Sequence, residues 1–282
     1  MRYSAGYLDI ACIPTRQAYE GKRVFADFFA GTGVRLEPET GRLYWDVALL
    51  ALQIAPPFDL YFLNNEYHEV AATLADRARA LGPAGAEVFE VDLRDASSLR
   101  DVDAIAAVAA PFGPKIVVST GDPNLAHRAL KRLAPRGRRY LCCVIDPGDS
   151  VYEWRSLEAL AYQERALDIL EVFPSCIDLV ASEDRGRRTH SQLQLDRYFP
   201  PETGWWKIVS AHPSPGAALR WLREDRIDRL LSLRIGRPRQ ASMGDRAAYP
   251  LIFATRAKFA ISLWEKIGSP PVGFQDEFYV GA

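Results

Sequence analysis

The residues of this chain best suited to ligand chemistry are Asp27-Phe-Phe-Ala-Gly-Thr-Gly33, an apolar run closing on two glycines. Glycine has no Cβ, so Gly31 and Gly33 let backbone approach a ligand where any side chain would collide. Further on, Asp59-Leu-Tyr-Phe-Leu-Asn64 ends at Asn65-Glu66. An acid at the end of the second strand of a nucleotide-binding sheet is placed to accept both hydroxyls of a ribose. The spacing argues against a dinucleotide. Gly31-Thr-Gly-Val-Arg-Leu36 lacks the third glycine of GxGxxG, and Glu66 stands 66 − 31 = 35 residues beyond Gly31 where about 20 are expected. A nicotinamide enzyme is therefore disfavoured. S-adenosylmethionine carries a nucleoside and a sulfonium but no phosphate, so its site needs no phosphate cradle. Asp27, Phe29, Ala30, Gly31, Gly33 and Glu66 are the candidate residues for it. A glycine turn that merely packs a helix on a sheet is the structural alternative, because a short motif stays a hypothesis until its context confirms it.

The hydrophobic pattern supplies the elements that must hold these residues. Arg23 to Ala30 reads as a buried strand entering a tight turn, and Trp45 to Gln53 carries apolar residues at helical spacing until Pro56-Pro57 stops it. Asp59 to Asn64 is a second strand, followed by an Ala-rich helix over about Glu69 to Leu81. Val88 to Leu93 is a short alternating run. Lys115 to Ser119 is a strand closed by Thr120-Gly-Asp-Pro-Asn124, with a helix to about Leu133, and Arg139 to Ile145 is the most continuous apolar strand. Strands alternating with helices predict βαβ units and a mainly parallel sheet with helices on both faces. Beyond Trp154 the pattern predicts a helix near Ser156 to Glu164, a strand over Ala166 to Phe173, a charged exposed segment from Ser182 to Arg197, and a helix near Pro215 to Leu231. The run Tyr249-Pro-Leu-Ile-Phe-Ala254 and a helix through Trp264 close the chain. The expected organisation is one α/β domain over 1–282, with a cofactor-binding core at 1–180 and a C-terminal elaboration at 181–282.

In an open parallel sheet, ligands lie outside the carboxyl ends of the strands. Asp27, Gly31, Gly33, Glu66, Asp122, Asn124 and Asp146 all fall at such ends. Two acids compete for the position beside an adenine. Asp122 ends a longer, better bounded strand and is preferred over Asp92 in Glu90-Val-Asp-Leu93.

The 35 basic and 36 acidic residues leave a formal charge of −1, so the whole molecule is no polyanion magnet. The clusters Arg185-Gly-Arg-Arg188, Arg136-Gly-Arg-Arg139 and Arg234 to Arg239 read as a solvated charged face more readily than as a phosphate-binding surface. Cys12, Cys142, Cys143 and Cys176 show no zinc spacing, and Cys142-Cys143 reads as a pair of small buried hydrophobes. His68, His127, His190 and His212 show no ligand spacing either, so no metal site is expected. No apolar run approaches the ~20 residues of a membrane span, and the N-terminus lacks the order of a signal peptide. A soluble cytoplasmic protein without membrane contact is the expectation.

Several ordered blocks resemble the three-Cys-motif partner proteins (TcmP). They are Asp27 to Gly33, the strand ending in Glu66, Gly121-Asp-Pro-Asn124, and Val144-Ile-Asp-Pro-Gly148 with Trp154 downstream. Leu167 to Pro174, Leu195 to Phe199 with Trp205-Trp206, and Tyr249 to Thr255 before Trp264 continue the likeness over roughly residues 10 to 268. The resemblance implies a Rossmann-like class I methyltransferase fold, S-adenosylmethionine as cofactor, and a genomic partner that is a radical-S-adenosylmethionine-like protein carrying the three cysteines. The family usually has proline where Thr32 stands and glycine-serine where Trp45-Asp46 stands. Its Asp-Pro block continues with an aromatic and glycine, where this chain has Gly148-Asp149.

Amino-methylating enzymes carry Asp/Asn-Pro-Pro-Tyr/Phe at the position of Asp146-Pro-Gly-Asp149, and the polar head orients the target amine. Here the second proline and the aromatic are missing. Asp146 as a catalytic residue and Asp146 as part of an ordinary strand-end turn both stay open. Tyr152 or Trp154 suits either a stacking face or the core. The expected function is an S-adenosylmethionine-dependent methyltransferase of unspecified acceptor; the alternative is a non-catalytic, cofactor-binding docking partner.

Overall fold

The computed structural model describes residues 15, 18–36, 41–108, 113–134, 137–148, 150–172, 190–212, 215–233, 236–241 and 251–256. The predicted helix through Trp264, the Arg185 to Arg188 cluster, Asp149, Cys12 and Cys176 lie outside these residues. The chain divides into two compact units, Met1–Val144 with Ala257–Ala282, and Ile145–Arg256.

The first unit holds β1 (Arg23–Asp27), β2 (Val34–Leu36), β3 (Leu43–Trp45), α1 (Val47–Leu52), β4 (Leu60–Asn65), α2 (His68–Leu81), β5 (Glu87–Leu93), α3 (Leu99–Val108), β6 (Lys115–Gly121), α4 (Pro123–Leu133) and β7 (Tyr140–Ile145). Its sheet runs β5-β6-β4-β1-β7, and every neighbouring pair is parallel. The pattern-based expectation of a mainly parallel α/β sheet with strand and helix alternating holds here. All residues of β1, β4 and β7 are buried, as the near-continuous apolar runs of a parallel sheet require. The outer strand β5 is mostly half-buried or exposed, which is why its sequence alternates.

Helix α2 buries Ala71, Leu74, Ala75 and Ala78. That is one stripe at i, i+3, i+4 and i+7, three of its four residues being alanines that let the helix sit close to the strands. The α4 helix starts on Asp122, whose side chain accepts from the Asn124 amide, has Pro123 in its first turn, and ends with Lys131 and Arg132. Each feature satisfies or complements the backbone groups left open at a helix end.

Trp45 departs from the sequence reading, which put it at the start of a helix. It instead pairs with Val34 in an antiparallel hairpin of β2 and β3. Asp46 then caps α1, its carboxylate accepting from the Val47 amide at 2.8 Å. Apolar spacing alone could not separate a helix from a strand followed by a helix. The cap residue marks the boundary.

The second unit holds α5 (Trp154–Gln163), β8 (Ala166–Val172), α6 (His190–Tyr198), α7 (Trp205–Ala211), α8 (Pro215–Ser232), β9 (Gly236–Ala241) and β10 (Leu251–Thr255). Here β10 lies between β8 and β9, antiparallel to both. In the segment expected to be charged and exposed, Leu193 and Arg197 are exposed, Gln194 and Asp196 half-buried, and Leu195 fully buried. Arg226 and Glu171 form an ion pair at 2.6 Å with both side chains wholly buried. The Tyr198 hydroxyl donates to Glu171 at 2.9 Å, Arg226 Nη1 donates to the Tyr198 carbonyl at 3.0 Å, and the guanidinium lies 4.9 Å from the Trp154 ring centroid. Tyr152 is fully buried and Trp154 is 8% exposed, so these aromatics serve as core rather than as an open stacking face.

No helix among the described residues is long and apolar enough to cross a membrane.

Candidate functional site

The five strands β5, β6, β4, β1 and β7 of the first unit are parallel, so their carboxyl ends share one edge. The chain leaves β1 for β4 on one side and later returns to the other side of β1 as β7. Such a reversal of strand order opens a crevice beyond the strand tips. The Asp27 to Gly33 turn sits there.

That turn is held from several sides. Asp27 is 4% exposed, and its Oδ1 accepts from the Phe29 amide at 3.0 Å, an Asx-turn that bends the chain as it leaves the strand. The Phe28 amide donates to the Val144 carbonyl of β7 at 3.2 Å, and the Ala30 amide donates to the Asn64 carbonyl of β4 at 2.9 Å. Arg77 of α2 donates to the Thr32 carbonyl, and the Asp46 amide donates to the Gly33 carbonyl at 2.7 Å. Ala30 is buried and Phe29 half-buried.

The two glycines do different work. At Gly31, φ is +57° and a Cβ would meet nothing within 4 Å, so the space beside it is open. At Gly33, φ is +80° and a Cβ would lie 2.5 Å from Leu49 Cγ and 2.9 Å from Leu74 Cδ1. Gly33 therefore lets the turn close onto α1 and α2, the helix-packing role that the sequence left as an alternative. The room for a ligand is at Gly31.

Glu66 stands exposed just past the end of β4, followed by Tyr67 at 66% exposure. Asp122 caps α4 at the end of β6, which pairs directly with β4. Asp92 lies one strand further out on β5. Hydrogen bonds from the Arg94 side chain and amide, outweighing a small desolvation cost, draw its carboxyl down to about 2. The structure thus gathers the Asp27 to Gly33 turn, Glu66 and Asp122 on the adjacent tips of β1, β4 and β6, and leaves Asp92 at the sheet edge beside its arginine. Asp146 is the first residue after β7 and belongs to the second unit. The turn there closes through the Ser150 amide on the Pro147 carbonyl at 2.8 Å, with Gly148 at φ +56°.

His127, in the first turns of α4, donates from Nδ1 to the Asn124 carbonyl at 2.7 Å. Burial lowers its pKa below the ordinary 6.5, against the opposing pull of that carbonyl. The unfolded chain therefore takes up a proton near pH 6.5 that the folded one refuses. The contribution of His127 to stability is complete above that pH and declines as the pH falls toward the folded value. An NMR titration of the His127 ring is expected to show a midpoint below 6.5; a midpoint above it contradicts this. Among the described residues, no three His, Cys, Asp or Glu side chains come together as a metal site would need.

The sequence reading missed Asn64, Ser119 and Arg77. Each supports the site from beneath or beside it. The available signal was a polar residue inside a run of apolar ones, as in Leu60-Tyr-Phe-Leu-Asn-Asn65 and Ile116-Val-Val-Ser119.

Compared with protein-family models and with curated proteins, the chain has no match in either.

Proposed function

We propose that this protein is a methyltransferase of unspecified acceptor that binds S-adenosylmethionine at the carboxyl edge of its first unit, with Asp146 as its candidate catalytic residue. The observation that carries the reading is the open space at Gly31 with Glu66 and Asp122 on the neighbouring strand tips. No phosphate-binding glycine fingerprint accompanies it. The residues fit a sulfonium nucleoside: Asp27 fixes the turn, Phe29, Ala30 and Gly31 offer a close backbone approach, Gly33 seats the turn on its helices, Glu66 takes the ribose hydroxyls and Asp122 borders the base. The resemblance to three-Cys-motif partner proteins points the same way.

When bound, the cofactor supplies an electrophilic methyl group for in-line displacement. The protein's share is to hold the nucleophile close and aligned, which supplies much of the rate. The Asp146 carboxylate would accept a hydrogen bond from an acceptor N–H.

Calorimetry with S-adenosylmethionine, S-adenosylhomocysteine and NAD tests the binding. The first two are expected to bind, and Glu66→Ala to weaken them about 10- to 100-fold, since a charged acceptor paired with buried hydroxyls is worth about 1.5–3 kcal/mol. Binding of NAD alone sinks the proposal. Transfer of labelled methyl to cell extract or nucleic acid, and its loss in Asp146→Ala, tests catalysis.

A docking role without catalysis is the second reading. It is favoured by the β2–β3 hairpin, which departs from the family pattern at Trp45-Asp46 and presents Leu36 and Leu43 at 56% and 43% exposure, an apolar pair suited to a protein partner. Cofactor binding without transfer to any fraction would favour it.

A further inference from the structure

We propose that Asn64 is a positioning residue that makes the glycine turn and the Asp122 turn a single rigid unit, so that the two halves of the ligand site are shaped together. This rests on the reading of that edge as a cofactor site, and it adds a residue that touches neither the cofactor nor the acceptor.

Asn64 is wholly buried near the tip of β4, with β1 on one side and β6 on the other. Its Nδ2 donates to the Phe28 carbonyl at 3.2 Å and to the Gly121 carbonyl at 3.3 Å, and its Oδ1 accepts from Ser119 Oγ at 2.8 Å. Its own backbone carbonyl accepts from the Ala30 amide at 2.9 Å. Phe28 and Ala30 belong to the glycine turn, and Gly121 immediately precedes Asp122. The two amide protons are therefore spent one on each turn, across strands that are not neighbours of each other.

The orientation of the amide is forced. Turned over, its oxygen would face two carbonyl oxygens, and no proton would lie between them. Ser119 selects the correct orientation by donating to Oδ1. Few side chains can do this work in so small a space. Aspartate of the same shape offers at most one proton, and leucine offers none. Buried hydrogen bonds of this kind are costly to leave unmade, because the freed carbonyls have no water to turn to.

The prediction is that cutting the link loosens both turns at once. In Asn64→Leu, amide hydrogen exchange at Ala30 and Leu125 is expected to quicken roughly tenfold, the scale of one lost buried hydrogen bond. Exchange at Val91 in β5 should change less than twofold. The affinity for S-adenosylhomocysteine, measured where each variant is fully folded, is expected to fall by about tenfold. Leu60→Ala, four residues earlier in the same strand, loosens the core beside Val24 and Lys115, away from the link. Its exchange at the two turns should rise together with Val91, and its affinity should stay within twofold. Ser119→Ala is the gentler variant should Asn64→Leu fail to fold; it is expected to loosen both turns about threefold while leaving the carbonyls their donor in part. Quickened exchange in one turn alone, or uniform quickening throughout the sheet, overturns the proposal. If the wild-type protein binds no S-adenosylhomocysteine, the cofactor reading fails, and the exchange pattern still decides whether Asn64 couples the turns.

Discussion

Replacing Gly121 by alanine is expected to cost about 4 kcal/mol and to lower the thermal midpoint by roughly 10 °C. The residue ends β6 with φ at +138°, and a Cβ there would lie 2.5 Å from the Leu93 carbonyl carbon and 2.7 Å from the Arg94 amide nitrogen. Both are backbone atoms of the neighbouring strand and the turn that follows it, so no side-chain rotation relieves the clash. The strand β5 would have to move away from β6, or the turn into α4 would have to be rebuilt, and Asp122 would lose its place as cap. Gly31→Ala is the informative contrast. Its φ is also positive but nothing lies within 4 Å, so only the left-handed backbone penalises it, by about 1–2 kcal/mol. Stability would then fall much less than in Gly121→Ala, while the ligand space narrows. Thermal melts of the two variants side by side check this; a Gly121→Ala protein melting within 2 °C of wild type would refute the packing argument.

The second large effect concerns the second unit. Glu171→Leu is expected to cost about 3–5 kcal/mol, because it strands the Arg226 guanidinium in a dry interior. Arg226 is completely buried, makes two hydrogen bonds to Glu171, and lies 4.1 Å from the Tyr198 ring centroid. Removing the whole polar group together should cost far less. The variant Glu171→Leu/Arg226→Met/Tyr198→Phe leaves apolar groups of similar volume facing one another, and is expected to regain most of the loss, since buried ion pairs and well-packed hydrophobic substitutes are often close in free energy. Chemical denaturation of the single and triple variants measures the coupling. Additive losses would show that the three side chains act independently, against the geometry.

Much of the candidate site could be read before any fold was known. Asp27, Gly31, Glu66 and Asp122 follow apolar runs, and Glu66 and Asp122 also precede helix starts; those punctuation marks are chemical, since a strand interior in a parallel sheet must be apolar and a strand end must change to residues that turn. What escaped notice were residues acting across the sheet. Asn64 makes its bonds to Phe28 and Gly121, which stand 36 and 57 positions away, and no local pattern encodes a partner at such distances. Gly33 looked like Gly31. Only the neighbours Leu49 and Leu74 show that one glycine serves packing and the other borders open space. Likewise Asp92 and Asp122 are both strand-end acids. Their difference lies in the strand order, which sets β6 beside β4 and sends β5 to the edge with Arg94 as partner for its acid.

By itself, then, the amino-acid order determined the alternation of strands and helices, the burial of the central strands, and the supply of turn-forming and acidic residues at their tips, because these depend on composition within a few residues. Tertiary structure decided which tips are neighbours, that Trp45 belongs to a hairpin, that β10 runs antiparallel between β8 and β9, and that Arg226 finds Glu171 in the interior. Those outcomes depend on pairings between segments distant in the chain, whose free energies accrue only once the segments meet.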